Sequence, residues 1–150
     1  MNGLFARALV AVLVLPGVVA FLVPLLLLGP GTIALSNRWG VVPLGVGIML
    51  LLACVREFYV AGRGTLAPWA PPTALVVTGL YKWSRNPMYV AVLLILSGWA
   101  ISFRSWPLAL YAVVVIVAFH LRIVLHEEPW LARTFGDTWI QYRKRVSRWL

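Results

Sequence analysis

The chain has 150 residues, enough for one domain, of which 62% are hydrophobic and 11% charged, with a mean hydropathy of +0.91. A soluble domain carries about a quarter charged residues, so this composition excludes a water-soluble fold and points to lipid as the solvent. Thirteen Lys and Arg against four Asp and Glu give a formal charge of +9. These bases flank apolar runs, which reads as the anchoring of membrane helices and not as a nucleic-acid surface. Cys54 is the single cysteine, so an internal disulfide is excluded, and with His120 and His126 the only histidines a zinc cluster lacks ligands.

In chain order, the first apolar stretch covers 4–28, and about 20 residues suffice to cross the hydrocarbon core. Arg7 precedes it as in a signal peptide, but the charge-free run from Ala8 to Asn37 far exceeds a signal core of about 7–15 residues. A retained helix is expected, kinked at Pro16 or Pro24 with the freed carbonyls met by neighbours, and ended by Gly29-Pro30-Gly31. A second stretch spans 40–59, with Arg56 and Glu57 near its end, within snorkelling reach of the interface. Residues 61–86 hold Gly62, Gly64, Pro68, Pro71 and Pro72 and read as a loop.

The third stretch, 87–103, opens on Pro87, which fits a first helical turn. Arg104, Ser105 and Trp106 form a tight turn into a fourth stretch, 107–125. The tail changes character. Over 127–149, Leu131, Phe135, Trp139, Tyr142, Val146 and Trp149 recur every three or four residues, one face of an amphipathic helix. Such a helix lies along the membrane surface or folds back on the bundle, and Gly136 is placed to divide it. The expected fold is therefore an all-α integral membrane protein of about four transmembrane helices plus an amphipathic C-terminal helix, in one domain.

Four spans place both termini and the middle loop on one side. That side carries Arg7, Arg63, Lys82, Arg85 and the basic tail, against Arg38 and Arg104 on the other. By the positive-inside rule the basic side is cytoplasmic. Trp39, Trp69, Trp83 and Trp106 fall at helix ends, as an interfacial belt requires.

Two cytoplasmic segments carry the polar residues: Gly79 to Tyr89, and the exit of the fourth span with His120, Arg122, His126, Glu127 and Glu128. Gly79-x-Tyr81, then Ser84-Arg85-Asn86-Pro87-Met88-Tyr89, then Arg122-x4-Glu127-Glu128, then Phe135-Gly136, Tyr142 and a basic end closely resemble the isoprenylcysteine carboxyl methyltransferase family and its bacterial relatives. The resemblance covers residues 62–148, and its weight lies in the order, spacing and placement of the pieces together.

The resemblance implies a small helical membrane enzyme of the bacterial inner membrane, using S-adenosylmethionine to methylate a lipophilic or lipid-linked acceptor at a carboxylate, amine or thiol, with no metal. It assigns cofactor binding to Tyr81, Arg85, Asn86, Pro87, Tyr89, Glu127 and Glu128, with a glutamate on the cofactor's ammonium and aromatic walls at Tyr81, Tyr89 or Trp130. Arg122 and Glu128 are the catalytic candidates, Arg122 orienting the substrate. The family often has His where this chain has Asn86; Asn hydrogen-bonds but does not titrate near neutrality, which suits cofactor binding and not proton transfer.

Plainer readings exist for each residue alone. Lys82 and Arg85 fit positive-inside anchors, Asn86-Pro87 a helix start, Tyr81, Trp83 and Tyr89 belt aromatics, Arg122 a snorkelling cation, Glu127 and Glu128 charge balance, and the histidines packing or interfacial residues. At the level of the whole chain, the alternatives are a membrane reductase relative binding a nicotinamide cofactor and a non-catalytic membrane scaffold. The reductases are much longer chains.

Overall fold

The computed structural model describes residues 13–29, 36–60 and 74–149. Residues 4–12 of the first expected span, and residues 61–73 of the loop with Arg63 and Trp69, lie outside the described residues. The described chain is helical, with no strand beyond an isolated parallel bridge between Ser84 and Ser147.

Helix α1 runs in a π-helical register over Leu13–Leu22 and in an α-helical one over Val23–Leu28. Pro24 has no N–H, so the carbonyls four and five residues before it, Ala20 and Val19, receive no bond from it. Two neighbouring side chains meet them: Trp99 Nε1 donates to Ala20 O at 3.0 Å and the Tyr111 hydroxyl donates to Val19 O at 3.1 Å. An interior proline is thus tolerated by the route a membrane helix uses.

Helix α2, Val41–Val60, follows a 3-10 turn over Arg38–Gly40 in which the Asn37 side chain accepts from Trp39 N at 3.0 Å. Helix α3, Pro87–Phe103, is the hub. Its Ala91, Val92, Ile95 and Leu96 are at most 2% exposed. It lies against α2 along glycines: a Cβ at Gly98 would stand 2.6 Å from both Leu44 N and Leu44 Cβ, and one at Gly47 would stand 2.7 Å from Ala91 O. Backbones this close leave room for hydrogen only, which is how helices gain packing energy where the surrounding lipid is as apolar as they are. Arg104, in the left-handed region at φ +47, ends α3 and turns the chain into α4, Trp106–Arg122.

The exterior of the bundle is apolar. Val41, Val42, Val46, Met49 and Leu52 on α2, and Leu110, Val113, Val114, Val117 and Leu121 on α4, are exposed. Two helical stretches, Arg38–Glu57 and one within Trp106–Arg145, are long and apolar enough to cross a membrane. Two apolar helices are shorter, Pro16–Leu28 and Pro87–Phe103. At 1.5 Å per residue, α3 measures roughly 25 Å against a hydrocarbon core of about 30 Å.

The tail departs from expectation in two ways. The chain does not break after the fourth span: a π-helical turn, Ile123–Glu127, carries α4 straight into α5, Glu128–Arg145. Gly136, at φ 48 and ψ −124, then bends α5, in backbone that only glycine adopts without strain. Second, the C-terminal helix expected over 127–149 stops at Arg145. Val146 is extended (φ −120, ψ 131), and the residues after it form a strap beside Ser84–Asn86. The Ser147 and Arg148 carbonyls accept from Arg85 N and Asn86 Nδ2 of that segment, whereas in the last turn of a helix reaching 149 they would have no intrahelical donor. Within α5, Trp139 and Tyr142 are 2% and 5% exposed, so the amphipathic face docks on the bundle.

Candidate functional site

The site begins where the chain returns to α2. Gly79 sits at φ +55 against the end of that helix, where a Cβ would lie 2.6 Å from the Glu57 carboxyl carbon. Thr78 Oγ1 donates to Glu57 Oε2 at 2.7 Å, and Arg56 approaches Glu57 Oε1 at 3.4 Å. The 3-10 turn Gly79–Lys82 carries Tyr81 into a buried cluster with Cys54 and Val76. The Tyr81 carbonyl accepts a 2.6 Å bond from the Tyr142 hydroxyl, and burial pushes that hydroxyl's pKa up to about 12, so it stays a donor at neutral pH.

Next comes the buried ion cluster. Arg85 Nη1 donates to Glu128 Oε1 at 2.9 Å, with the two side chains 9% and 11% exposed. Arg148 forks onto the same carboxylate, Nε to Oε1 at 2.8 Å and Nη2 to Oε2 at 2.9 Å. Burial alone would raise the Glu128 pKa; the Arg148 fork and Arg85 outweigh it and hold the carboxyl below its ordinary value. Burial lowers the Arg85 pKa, offset in part by Glu128. The Arg85 guanidinium carbon stands 5.5 Å from the centroid of the Trp139 ring, a cation–π placement. Arg85 Nε and Trp139 Nε1 are buried with no hydrogen-bond partner among the described residues, two donors left over in one place.

Glu127 serves a different cluster, because successive residues of a helix point about 100° apart. Its Oε1 accepts from Arg122 Nε at 2.8 Å and from the Tyr89 hydroxyl. Its other oxygen has no hydrogen-bond donor among the described residues. The Tyr89 ring rests on Phe119, centroids 4.3 Å apart. Glu127 is 30% and Arg122 57% exposed, so this cluster is open where the Glu128 cluster is closed.

Of the residues the sequence singled out, Arg85, Asn86, Tyr89, Arg122, Glu127 and Glu128 therefore meet at one end of the bundle. Asn86 caps no helix with its side chain; its Nδ2 donates to Arg148 O at 2.9 Å, and its backbone N–H donates to Ser84 Oγ at 3.1 Å. Pro87 is the buried first residue of α3. The Tyr81 ring faces the Cys54 cluster, while Trp130 stands edge-on to Phe135 at 6.0 Å on α5. His120 stacks on Trp149 at 6.2 Å beside an open apolar groove of about 300 Å³ lined also by Ile116, Val117 and Leu121. No group of three or more His, Cys, Asp or Glu residues able to hold a metal exists among the described residues.

Sequence reasoning missed Arg148, Ser147 and Trp139. The sequence pattern places Arg148 and Trp139 on the basic and apolar faces of a C-terminal amphipathic helix, lying on the membrane surface or folded back on the bundle. The local signal against that helix continuing is the Val146-Ser147 pair after Arg145, and it is weak.

A family model described as phospholipid methyltransferase matches residues 36–138, well over half of the chain. The chain is also similar to an uncharacterized protein of Haemophilus influenzae (strain ATCC 51907 / DSM 11121 / KW20 / Rd), 32% identical over 63 residues, which are 42% of this chain and the whole of that protein. No solved structure matches. The matched residues contain α2 to α4, the Arg85 segment and both glutamates, and the chain belongs to the phospholipid methyltransferase family, the integral-membrane methyltransferases that also include the isoprenylcysteine carboxyl methyltransferases.

Proposed function

We propose that the protein transfers a methyl group from S-adenosylmethionine to a lipophilic, membrane-partitioned acceptor at the end of the bundle where Arg85, Arg122, Glu127 and Glu128 meet. One observation carries most of this reading. Two segments 43 residues apart, both inside the family match, come together in a buried 2.9 Å ion pair between Arg85 and Glu128. The cofactor would bring a methyl group on a sulfonium, open to in-line displacement, and leave the protein the tasks of alignment and electrostatics.

The residues suit a ligand with an ammonium and a carboxylate. Glu127 offers the ammonium an oxygen that no arginine occupies. Arg85 Nε and Trp139 Nε1 are the unfilled donors on the carboxylate's side. Asn86 and Tyr89 flank this region as hydrogen-bonding and aromatic groups. Glu128, held by two arginines, fixes Arg85 in place, and the exposed Arg122 orients the acceptor.

The two ion clusters hold three arginines against two glutamates. A bound sulfonium adds to that excess, so among carboxylate, amine and thiol acceptors the anionic forms are favoured over a protonated amine. The groove beside His120 and Trp149 is the candidate seat for the acceptor's apolar part. On this reading α1 and α3 also cross the bilayer, four crossings in all, with local thinning at the short α3. The site and the basic tail then face the cytoplasm of a bacterial inner membrane.

The test is titration calorimetry of detergent-solubilised protein with S-adenosylhomocysteine, paired with labelled methyl transfer to two amphiphiles that differ only in carrying a carboxylate or an amine. Binding heat and preferential labelling of the carboxylate are expected. No heat and no thermal stabilisation by S-adenosylhomocysteine removes the cofactor reading; equal labelling of the amine removes the charge argument.

A further inference from the structure

The strap after α5 touches the Arg85 segment, Glu128 and His120, and lies beyond the residues of the family match, which end at 138. Its contacts are specific. Arg85 N donates to Ser147 O at 2.9 Å, and Asn86 Nδ2 donates to Arg148 O at 2.9 Å. The Arg148 side chain then crosses to α5 and closes both oxygens of Glu128, while Trp149 stacks on His120 at the end of α4. We propose that this strap is a working part of the cofactor site, with Arg148 as the positioning residue that holds Arg85, Asn86 and Glu128 in one register. The proposal rests on the cofactor reading given above and assigns its geometry to a segment outside the matched core.

The Arg85 side chain is 9% exposed, and Glu128 is its one carboxylate partner among the described residues. A single carboxylate oxygen shared by two arginines is free to rotate toward either. The bidentate fork of Arg148 removes that freedom, because two parallel bonds fix the carboxylate plane as well as its position. With the plane fixed, Arg85 has one favourable pose, and its unpartnered Nε keeps one direction. The Arg148 carbonyl does the same for the Asn86 amide. One residue thus orients two side chains on the opposite segment, through its guanidinium and through its backbone.

By linkage, a strap that orders the site for the cofactor must itself be ordered by the cofactor. Two measurements follow. First, S-adenosylhomocysteine affinity is measured by calorimetry in detergent for wild type, Arg148→Ala and Arg148→Lys, alongside the thermal midpoint of each. The expected result is roughly ten- to hundredfold weaker binding for Arg148→Ala, the scale of a lost charge-assisted hydrogen bond. Arg148→Lys, which keeps the charge but loses the fork, should fall between Arg148→Ala and wild type. Second, hydrogen exchange of the wild-type protein is followed with and without S-adenosylhomocysteine, with slower exchange expected at the amides of Arg85 and of 147–149.

Wild-type affinity in Arg148→Ala overturns the proposal, and full rescue by lysine reduces it to a charge effect and overturns the fork. Where Arg148→Ala does not fold, the lysine variant and wild-type exchange decide, and unchanged exchange at 147–149 counts against the strap. A wild-type protein that binds no S-adenosylhomocysteine fails at the earlier step and takes both readings with it; wild-type binding with an indifferent Arg148 removes this one alone.

Discussion

The two adjacent glutamates separate by environment. Glu128 balances a buried arginine; Glu127 faces solvent in part and has an oxygen to spare. Glu128→Gln would leave Arg85 buried without its counter-charge, a change on the scale of about 3–5 kcal/mol, so a large fall in thermal midpoint is expected in detergent. Glu127→Gln should leave that midpoint close to wild type and weaken S-adenosylhomocysteine binding by roughly tenfold or more, as for a charged hydrogen bond of about 1.5–3 kcal/mol. Melting and calorimetry on both variants check the division of labour, and it fails if the effects are exchanged. The pairing of Arg122 with Glu127 was foreshadowed by Arg-x4-Glu-Glu on one helix, five residues apart. That of Arg148 with Glu128 was not, because no local spacing rule links residues 20 apart across a helix and a strap.

At the scale of the elements, glycines and freed carbonyls set the packing. Gly98 admits no Cβ against the backbone of Leu44, so Gly98→Ala should separate α2 from α3 and destabilise by about 1–3 kcal/mol, the range for overpacking. Gly136 is the contrast. A Cβ there meets nothing within 4 Å, so the cost of Gly136→Ala is conformational, again about 1–3 kcal/mol, from φ 48 and ψ −124. Thermal melts of the two check both losses, and trimming the Leu44 side chain should not recover the first, because the clash is with the Leu44 backbone N and Cα. Trp99→Phe leaves the Ala20 carbonyl beside Pro24 without its donor and should cost about 1–3 kcal/mol, with Tyr111→Phe acting likewise at Val19.

For the whole molecule, the Arg85–Glu128–Arg148 cluster ties the segment before α3 and the first residue of α5 to the tail, and its charge state follows pH. The folded Glu128 pKa lies below its ordinary value, so the unfolded chain takes up the proton first as pH falls. The stability this group contributes is fully present above the unfolded carboxyl value of about 4.3 and is lost as pH drops through the folded one. Melting in detergent should show a decline below about pH 4 that Glu128→Gln abolishes.

Hydropathy alone made the chain a helical membrane protein, because runs of some twenty apolar residues have few other stable homes. Pro87, Gly136 and the Arg104 turn marked real boundaries, since backbone chemistry acts within a few residues. The motif order pointed to one end of the bundle before any coordinates. Which glutamate faces which arginine, where the last helix stops, and that a tail strap closes the site were decided by long-range contacts. Those depend on how α3, α5 and the strap come to lie against one another, and no periodicity along a single helix encodes that.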